Sequence, residues 1–251
     1  MKEKTVYYQR EDEEFSKAKI ETPTLPKDYR YRRDRPLEKI LRFFLYQLIA
    51  KPFGFLYLKT KFHWKAVGKE KLKESKDSPL FLYGNHTQEI GDAFLPALFF
   101  HRKIRIIVHP NNLKSKGVGW AVPTLGGYPL PQNISNYRSF FQAMKKSVEK
   151  KEPIVIYPEA HIWPYCTFIR PFKKDSFHYP VSFHTPVYCF TNTYQKRKNP
   201  NKVKIVTYID GPFYPIEGED EKESLEKQVR EAMNKRASLS TKELIHYVKK
   251  P

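Results

Sequence analysis

Short apolar runs that alternate with helix-like stretches constrain the fold of this chain more than any other feature. Each run is four or five residues long, and the runs lie at 64–68, 80–83, 104–108, 154–157, 187–190 and 203–206. Helix-like stretches cover 93–100, 137–150, 219–235 and 241–249. Alternation of strands and helices at these lengths predicts an α/β domain whose central mixed sheet is flanked by helices.

The chain is long enough for one domain with a proper core, and its composition changes along its length. Residues 1–35 are charged and contain prolines, which predicts a polar, basic and loosely packed N-terminal arm. Residues 36–62 are rich in aromatic side chains, and residues 63–251 hold the alternating pattern. We therefore expect an arm, an aromatic helical segment and an α/β domain, in that order.

The aromatic segment predicts contact with a membrane surface. Its two apolar pieces, 41–46 and 53–58, are flanked by lysines and arginines, and Arg42, Lys51 and Pro52 interrupt the run. A spanning helix needs ~18 or more uninterrupted apolar residues, whereas an interfacial helix needs aromatic rings at headgroup depth and cations on anionic lipid. This interpretation predicts a peripheral or monotopic protein with a membrane-associated N-terminal helix. An ordinary core helix beneath the domain is the alternative.

The charge of the chain indicates an anionic partner. Lysine and arginine number 46 against 27 acidic residues, which gives a net charge of +19. Nucleic acid, an acidic lipid surface or an acidic protein would each suit that charge. The sequence has no aromatic RNA-binding motif or zinc finger, so we expect no nucleic-acid partner. Cys166 and Cys189 form no disulfide framework, and residues 1–4 do not begin a signal peptide, which favours a reduced, intracellular setting.

A histidine directly follows one of the predicted strands. Residues 80–83 run into Gly84-Asn85-His86, and Asp92 stands six residues further on. In open α/β folds, active-site residues gather at the carboxyl ends of the strands. A histidine beside a carboxylate is the smallest combination of a general base and a group that orients it. A hydrogen-bonded structural histidine is the alternative interpretation.

A second polar cluster follows another predicted strand and gives the sequence its likeness to a known family. Residues 154–161 read Ile-Val-Ile-Tyr-Pro-Glu-Ala-His, residues 170–174 read Arg-Pro-Phe-Lys-Lys, and residues 185–190 read Thr-Pro-Val-Tyr-Cys-Phe. Together with the Asn-His motif at 85–86, they resemble, in order and separation, four motifs of the glycerolipid acyltransferase family. Its best-known members acylate lysophosphatidic acid. The resemblance covers residues 64–195, and the chain is identified as a member of that family.

The resemblance implies transfer of a fatty acyl group from a thioester, either acyl-CoA or acyl carrier protein (acyl-ACP), to a hydroxyl of a lysophosphatidic-acid-like glycerolipid. His86 is then the base, and Asp92 orients it. The residues implied to bind the acceptor are Asn85, Glu159, Arg170, Lys173 and Lys174. The family implies no cofactor beyond the acyl co-substrate and no metal. Its implied partners are the lipid acceptor, the acyl donor and an anionic membrane surface, on the cytoplasmic face of a membrane.

The spacing between the histidine and the aspartate departs from the family pattern. Five residues separate His86 from Asp92, whereas the family usually has four. On a regular helix Asp92 would lie about 120° around the axis from His86, and Glu89 only about 60° away. Glu89 is therefore the alternative group to orient His86. Gly91 favours Asp92, because a glycine can absorb a local irregularity of the backbone.

Other departures concern the acceptor. Ile162 replaces the arginine that ends the family's Phe-Pro-Glu-Gly-Thr-Arg motif. Gln132 stands where the family often has an arginine thought to meet the acceptor's phosphate, and a glutamine does not replace the charge of a guanidinium. Arg138 and the cations within 170–174 are the possible replacements. The acceptor is accordingly lysophosphatidic acid or another lipid or glycolipid hydroxyl.

Two other classes of function remain as alternatives. A metal-dependent hydrolase would draw on the polar residues His86, Asp92, Glu159, His161, His178 and His184. Their spacings match no zinc-ligand motif, which counts against a hydrolase. A non-catalytic protein that binds anionic membranes would fit the altered motifs, but the intact Asn85-His86 pair favours an enzyme.

Overall fold

Two β-sheets organise the computed structural model, which describes residues 3–15 and 22–250. The strands in these ranges are β1 Lys4–Tyr8, β2 Lys65–Val67, β3 Phe81–Gly84, β4 Arg105–Val108, β5 Gly127–Pro129, β6 Ile154–Ile156, β7 Val187–Lys196, β8 Val203–Phe213 and β9 Ile245–Lys249. The large sheet has the order β2-β8-β7-β3-β6-β4-β5, and β1 pairs with β9 in the small one. The large sheet is mixed, because β3 runs parallel to β6 and β7 while β8 is antiparallel to β7.

Helices cover the large sheet on both faces, which confirms the predicted α/β architecture. They are α1 Pro36–Phe43, a π-helical segment Phe44–Ala50, α2 Lys51–Phe62, α3 Gly91–Phe94, α4 Ala121–Leu125, α5 Ile134–Glu149, α6 His178–Ser182 and α7 Glu221–Ala237. Short 3₁₀ helices lie at Lys69–Leu72, Leu95–Leu98, Pro110–Lys114 and Lys174–Phe177.

Both faces of the large sheet are buried under helices. Successive side chains of a strand point to opposite faces, so neighbouring residues of one strand belong to different core clusters. Leu82 of β3 belongs to the same core cluster as Leu58 and Phe62 of α2. Phe81 and Tyr83, its neighbours in the strand, belong to a second cluster with residues of α5 and α7. Because β3 and β6 are parallel neighbours, they end at the same edge of the sheet, where the motifs around residues 85 and 159 begin.

The first helical segment packs on the domain through a narrow stripe. Residues 36–62 are helical throughout, and buried residues recur at every fourth position, at Arg42, Tyr46, Ala50, Gly54, Leu58 and Phe62. The opposite face exposes the large apolar side chains Leu37, Ile40, Leu41, Phe43, Phe44, Leu48, Ile49, Phe53, Phe55 and Leu56. Among the described residues, no helix is long and apolar enough to cross a membrane.

Pro52 does not stop this helix, contrary to the expectation that it would bend or end the run. A proline inside an α-helix clashes with the carbonyl one turn earlier and removes a hydrogen bond. The preceding turns are π-helical, and the Lys51 N–H donates to the Tyr46 carbonyl five residues back. This wider turn relieves the crowding, so the helix continues from the π-helical segment into α2.

Near its two ends the chain forms strands that the sequence does not predict. A helix is expected over residues 241–249, but β9 lies there and pairs in parallel with β1, which falls in the supposedly loose arm. Tyr8 of β1 and Tyr247 of β9 are buried, because both pack on Trp163. Neither strand has enough alternation of its own to reveal the pairing. The parts of the arm at 1–2 and 16–21 lie outside the described residues.

An ion-pair network attaches the rest of the arm to the domain. Arg32 donates to Glu152, which lies just before β6, at 3.1 Å, and the buried Arg105 donates to the same carboxylate at 2.8 Å. Asp34 lies within 3.7 Å of Arg105 and 3.6 Å of Lys103. The prediction of a loosely packed arm is therefore wrong for residues 22–35.

Candidate active site

His86 leaves the sheet at the carboxyl end of β3. The strand closes with Gly84, where a side chain is excluded because an added Cβ would lie 2.1 Å from the ring of Phe190. Asn85 follows and is buried, with its Nδ2 donating to the Asn192 carbonyl at 3.0 Å and its Oδ1 accepting from the Asn192 N–H at 2.8 Å. The Asn85 side chain thus extends the pairing of β3 with β7 by one step. It fixes the point at which His86 departs and is not exposed to an acceptor.

The side chain of His86 contacts Asp92. His86 Nδ1 lies 2.9 Å from Asp92 Oδ2, and the backbone N–H groups of Thr87 and Gln88 each donate to the same oxygen at 2.9 Å. Asn192 Nδ2 lies 3.4 Å from the other oxygen. Burial raises the pKa of Asp92 above its usual value, and the hydrogen bonds from His86 and the two backbone groups, which favour the carboxylate, offset only part of that rise. A carboxylate can only accept, so Nδ1 carries the proton.

Glu89 does not reach the imidazole, although it was the alternative group to orient His86. Residues 86–90 form a tight turn around the Asp92 carboxylate, and α3 begins only at Gly91. The angle expected for a regular helix therefore does not apply. Gly91 is required for the tightness, since an added Cβ would lie 2.9 Å from Gln88 Cβ. Glu89 is exposed at the outside of this turn.

The ring of Tyr157 holds the plane of the imidazole. The two ring centroids are 4.4 Å apart with an angle of 19° between the planes. The Tyr157 hydroxyl donates to the backbone carbonyl of Asp92 at 2.6 Å, and burial raises the pKa of this phenol far above its usual range. Tyr157 therefore contacts both members of the His86–Asp92 pair. The sequence motifs assign Tyr157 no role, although its position directly before Pro158-Glu159 could have marked it.

Glu159 is buried and holds the backbone of His86. Its Oε2 accepts from the His86 N–H at 3.0 Å and from Arg170 Nη2 at 2.8 Å, and its Oε1 accepts from the Arg170 N–H at 3.1 Å. Neither side chain is more than 1% exposed. Both residues were implied to bind the acceptor, but their side chains are directed at each other and at the histidine loop. In this arrangement they position His86.

The loop between Glu159 and Arg170 is clamped over the histidine loop. The Trp163 N–H donates to the His86 carbonyl at 3.1 Å, and the Tyr165 N–H donates to the Thr87 carbonyl at 2.9 Å. The Trp163 indole in turn donates to the Glu13 carbonyl of the arm at 2.8 Å. The small sheet thus stabilises the loop that orders the site.

The two lysines implied to bind the acceptor are exposed. The Lys173 N–H donates to the Pro158 carbonyl at 2.8 Å, which anchors its backbone beside the Glu159 motif and leaves its side chain exposed. Lys174 Nζ lies 3.5 Å from a carboxylate oxygen of Glu223, and both of these side chains are 67% exposed. Of the five implied acceptor residues, only these two present their charge to solvent.

Gln132 attaches the arm to the domain. Its Oε1 accepts from the Leu25 N–H at 2.7 Å and its Nε2 donates to the Pro23 carbonyl at 3.0 Å. Its amide is therefore engaged with the arm, at the position where the family often has an arginine. Arg138 is exposed on α5.

Chemically, the arrangement provides a base. With Nδ1 bonded to Asp92, His86 has Nε2 left to accept a proton, and the side chain is 17% exposed at the edge of the sheet. Within 3–15 and 22–250 there is no group of three or more His, Cys, Asp and Glu side chains that could hold a metal ion. The site therefore consists of an oriented imidazole, a buried carboxylate and a clamped loop.

Comparison with known proteins shows what this chain is similar to. A family model described as Acyltransferase matches residues 63–192. No curated protein matches the chain. Among solved structures, the chain is similar to the 1-acyl-sn-glycerophosphate (LPA) acyltransferase PlsC from Thermotoga maritima, with 22% identity and a TM-score of 0.59. The likeness covers 84% of this chain and 85% of that one, and it shows a shared fold.

Proposed function

The chain belongs to the acyltransferase family, and from that premise we propose that it transfers a fatty acyl group from an acyl-CoA or acyl-ACP thioester to a hydroxyl of a lysophosphatidic-acid-like glycerolipid. The observation that carries the proposal is the His86–Asp92 contact of 2.9 Å at the carboxyl edge of the sheet. The similar protein from Thermotoga maritima is an LPA acyltransferase, which supports this choice of acceptor.

In the proposed reaction His86 acts as a general base. Its Nε2 takes the proton of the acceptor hydroxyl while that oxygen attacks the carbonyl carbon of the thioester. A tetrahedral intermediate forms, the C–S bond breaks, and the thiolate leaves with the proton that His86 gives back. Asp92 stabilises the imidazolium between these two proton transfers, and the stacked Tyr157 keeps the ring in the productive plane.

The acceptor's phosphate is proposed to meet Lys173 and Lys174. Arg170 is engaged by Glu159, and Gln132 has no charge to offer. The backbone of Lys173 is anchored to Pro158, one residue before Glu159, and its side chain is exposed. Ammonium groups bind phosphate as point charges, which selects for charge more than for geometry.

The protein is proposed to work at the cytoplasmic face of an anionic membrane, as a peripheral or monotopic protein. The exposed face of residues 36–62 carries aromatic and aliphatic side chains along its whole length. Lysines such as Lys39, Lys59 and Lys61 are exposed beside them. This combination suits a helix that lies in the headgroup region.

The activity is tested by offering the purified protein each labelled donor, acyl-CoA and acyl-ACP, with a panel of acceptors. The panel contains lysophosphatidic acid, its uncharged monoacylglycerol counterpart and a glycolipid, and the products are identified by mass. The proposal expects phosphatidic acid as the main product. If the main product came from the uncharged acceptor or the glycolipid, the acceptor would be another lipid or glycolipid and not lysophosphatidic acid. If no donor and acceptor pair gave a product, the proposed reaction would be wrong.

A further inference from the structure

A second exposed apolar element lies at the turn before α4. In the segment 114–120, Val118 is 60% exposed and Trp120 is 62% exposed. Lys114 and Lys116 are exposed in the same turn. The other two tryptophans of the chain, Trp64 and Trp163, are buried at 6% and 0%.

The backbone holds Trp120 in this exposed position. The indole Nε1 of Trp120 donates to the Gly117 carbonyl at 3.0 Å, and the Gly119 N–H donates to the Ser115 carbonyl at 2.8 Å. Gly117 has a φ of +77°, and an added Cβ at Gly119 would lie 2.3 Å from the Leu113 carbonyl oxygen. The turn is therefore fixed by glycines and hydrogen bonds, so the exposed indole is built into the fold and needs little ordering on binding.

The turn leads into a helix that packs against the N-terminal helix. It follows β4 at the carboxyl edge of the sheet, the same edge at which His86 lies, and it leads directly into α4. Helix α4 packs against α1, whose outer face exposes Leu37, Ile40 and Leu41. The turn and the helix thus present apolar side chains from two separate elements.

We propose that segment 114–120 is a second membrane contact, which inserts Trp120 and Val118 among the headgroups and sets Lys114 and Lys116 against anionic lipid. This inference rests on the proposed function, because it takes the membrane as the partner. An indole suits the interface, since its ring is apolar and its N–H is polar. Flanking lysines add charge complementarity to anionic headgroups. Contacts from two elements fix the tilt of the protein, which turns the edge that carries His86 toward the lipid.

The fluorescence of Trp120 tests this inference in the intact chain. Vesicles of phosphatidylcholine with phosphatidylglycerol are added, and the emission maximum is expected to shift to shorter wavelength. Lipids brominated on their acyl chains are expected to quench it. The buried Trp64 and Trp163 are already shielded from water, so the change reports on Trp120. Replacing Trp120 and Val118 with serine is expected to weaken partition onto these vesicles by about tenfold.

A relocated tryptophan provides the matched control. Tyr214 is 58% exposed and follows β8, which lies near the opposite end of the sheet from β4 and β5. The double variant Trp120→Phe, Tyr214→Trp is expected to bind the same vesicles without a shift. If the protein cosediments with vesicles but Trp120 shows neither shift nor quenching, the second contact is refuted while the helix contact stands. If the protein does not cosediment at all, both membrane proposals fail.

Discussion

At the scale of single residues, the candidate site separates a group that is open to the solvent from groups that position it. His86 is the one with a free nitrogen at the surface, whereas Asp92, Tyr157 and Glu159 each act on His86 through its ring or its backbone. Positioning of this kind matters because a base that is misplaced by about 1 Å can lose ~10² in rate. The account therefore predicts activity losses at residues that never touch the acceptor.

The two carboxylates near His86 are predicted to differ strongly. Asp92→Asn removes the negative charge that stabilises the imidazolium and can present an N–H to Nδ1, so we expect a ~10²- to 10⁴-fold fall in kcat. Glu89→Gln changes an exposed side chain and is expected to alter kcat less than about twofold. The kcat values of the two variants, measured by steady-state kinetics, show which carboxylate orients His86. The reverse ranking would give the orienting role to Glu89.

Glu159 is predicted to stabilise the folded protein and not to bind the acceptor directly. Glu159→Gln leaves the Arg170 cation buried without its counter-charge, which costs about 3–5 kcal/mol of unfolding free energy. Glu223→Gln is the matched control, because it removes an exposed contact to Lys174 and is expected to cost less than about 0.5 kcal/mol. Urea unfolding measures both. A Glu159→Gln variant of unchanged stability with a raised KM for the acceptor would instead make Glu159 an acceptor ligand.

At the scale of elements, six of the nine strands in the described residues and the longer helices could be predicted from the sequence, whereas the short strand β5 and the two terminal strands could not. Apolar runs such as 80–83 and 154–157 are long enough to mark strands without tertiary information. The pairing of β1 with β9 is accompanied by packing on Trp163, which contacts Tyr8 and Tyr247 but lies far from both strands in the chain. The histidine and its aspartate could be proposed from motif order, but the turn that brings them together could not be inferred from helical geometry.

The arm is an element whose attachment should depend on pH. Burial raises the pKa of Glu152, but the charges and hydrogen bonds of Arg105 and Lys103 outweigh burial and lower the pKa to about 2, and Arg32 of the arm lies 3.1 Å from the same carboxylate. In the unfolded chain the value is about 4.3. The resulting stability is fully present above the unfolded value and is lost as the pH falls toward the folded value. We expect a loss of about 2–3 kcal/mol in unfolding free energy between about pH 5 and pH 2 from this group.

Unfolding measured over this pH range checks the attachment of the arm. Glu152→Gln is expected to flatten this part of the curve, because the group that titrates is gone; the variant is less stable near pH 5, where Arg105 lacks its counter-charge, and approaches the wild type toward pH 2. Glu70→Gln, at an exposed position, should leave the curve unchanged. A Glu152→Gln variant that keeps the full acid dependence would show that other carboxylates cause it.

At the scale of the whole molecule, the exposed apolar face and the edge of the sheet that carries His86 have to be considered together. The net charge of +19 and the exposed face of residues 36–62 both suit an anionic lipid surface, where a glycerolipid acceptor and a fatty acyl chain are found. The stripe of buried residues at every fourth position explains why the helix is neither a core element nor a detached tail. Sequence spacing alone left that choice open, because the same residues would suit a buried helix.

Replacing Phe43, Phe44, Phe53 and Phe55 with serine is predicted to release the protein from vesicles that contain anionic lipid. These rings would bury apolar area at roughly 25 cal/mol per Å², and nearby lysines would add up to about 1 kcal/mol each at low salt. Cosedimentation should therefore weaken on neutral vesicles and with rising salt. Serine at the exposed Tyr214 and Leu239 provides the control and should have no effect. Equal binding of all variants to neutral and anionic vesicles would contradict the membrane account.

If His86 is the base of an acyl transfer, its replacement by alanine should lower the initial rate of the reaction. The rate is measured with labelled acyl donor and lysophosphatidic acid dispersed in detergent, and circular dichroism confirms that the variant is folded. The account predicts a fall of ~10²- to 10⁴-fold or more, because no other described side chain combines a free nitrogen with the Asp92 contact. A folded His86→Ala protein that retains most of its activity would contradict the account.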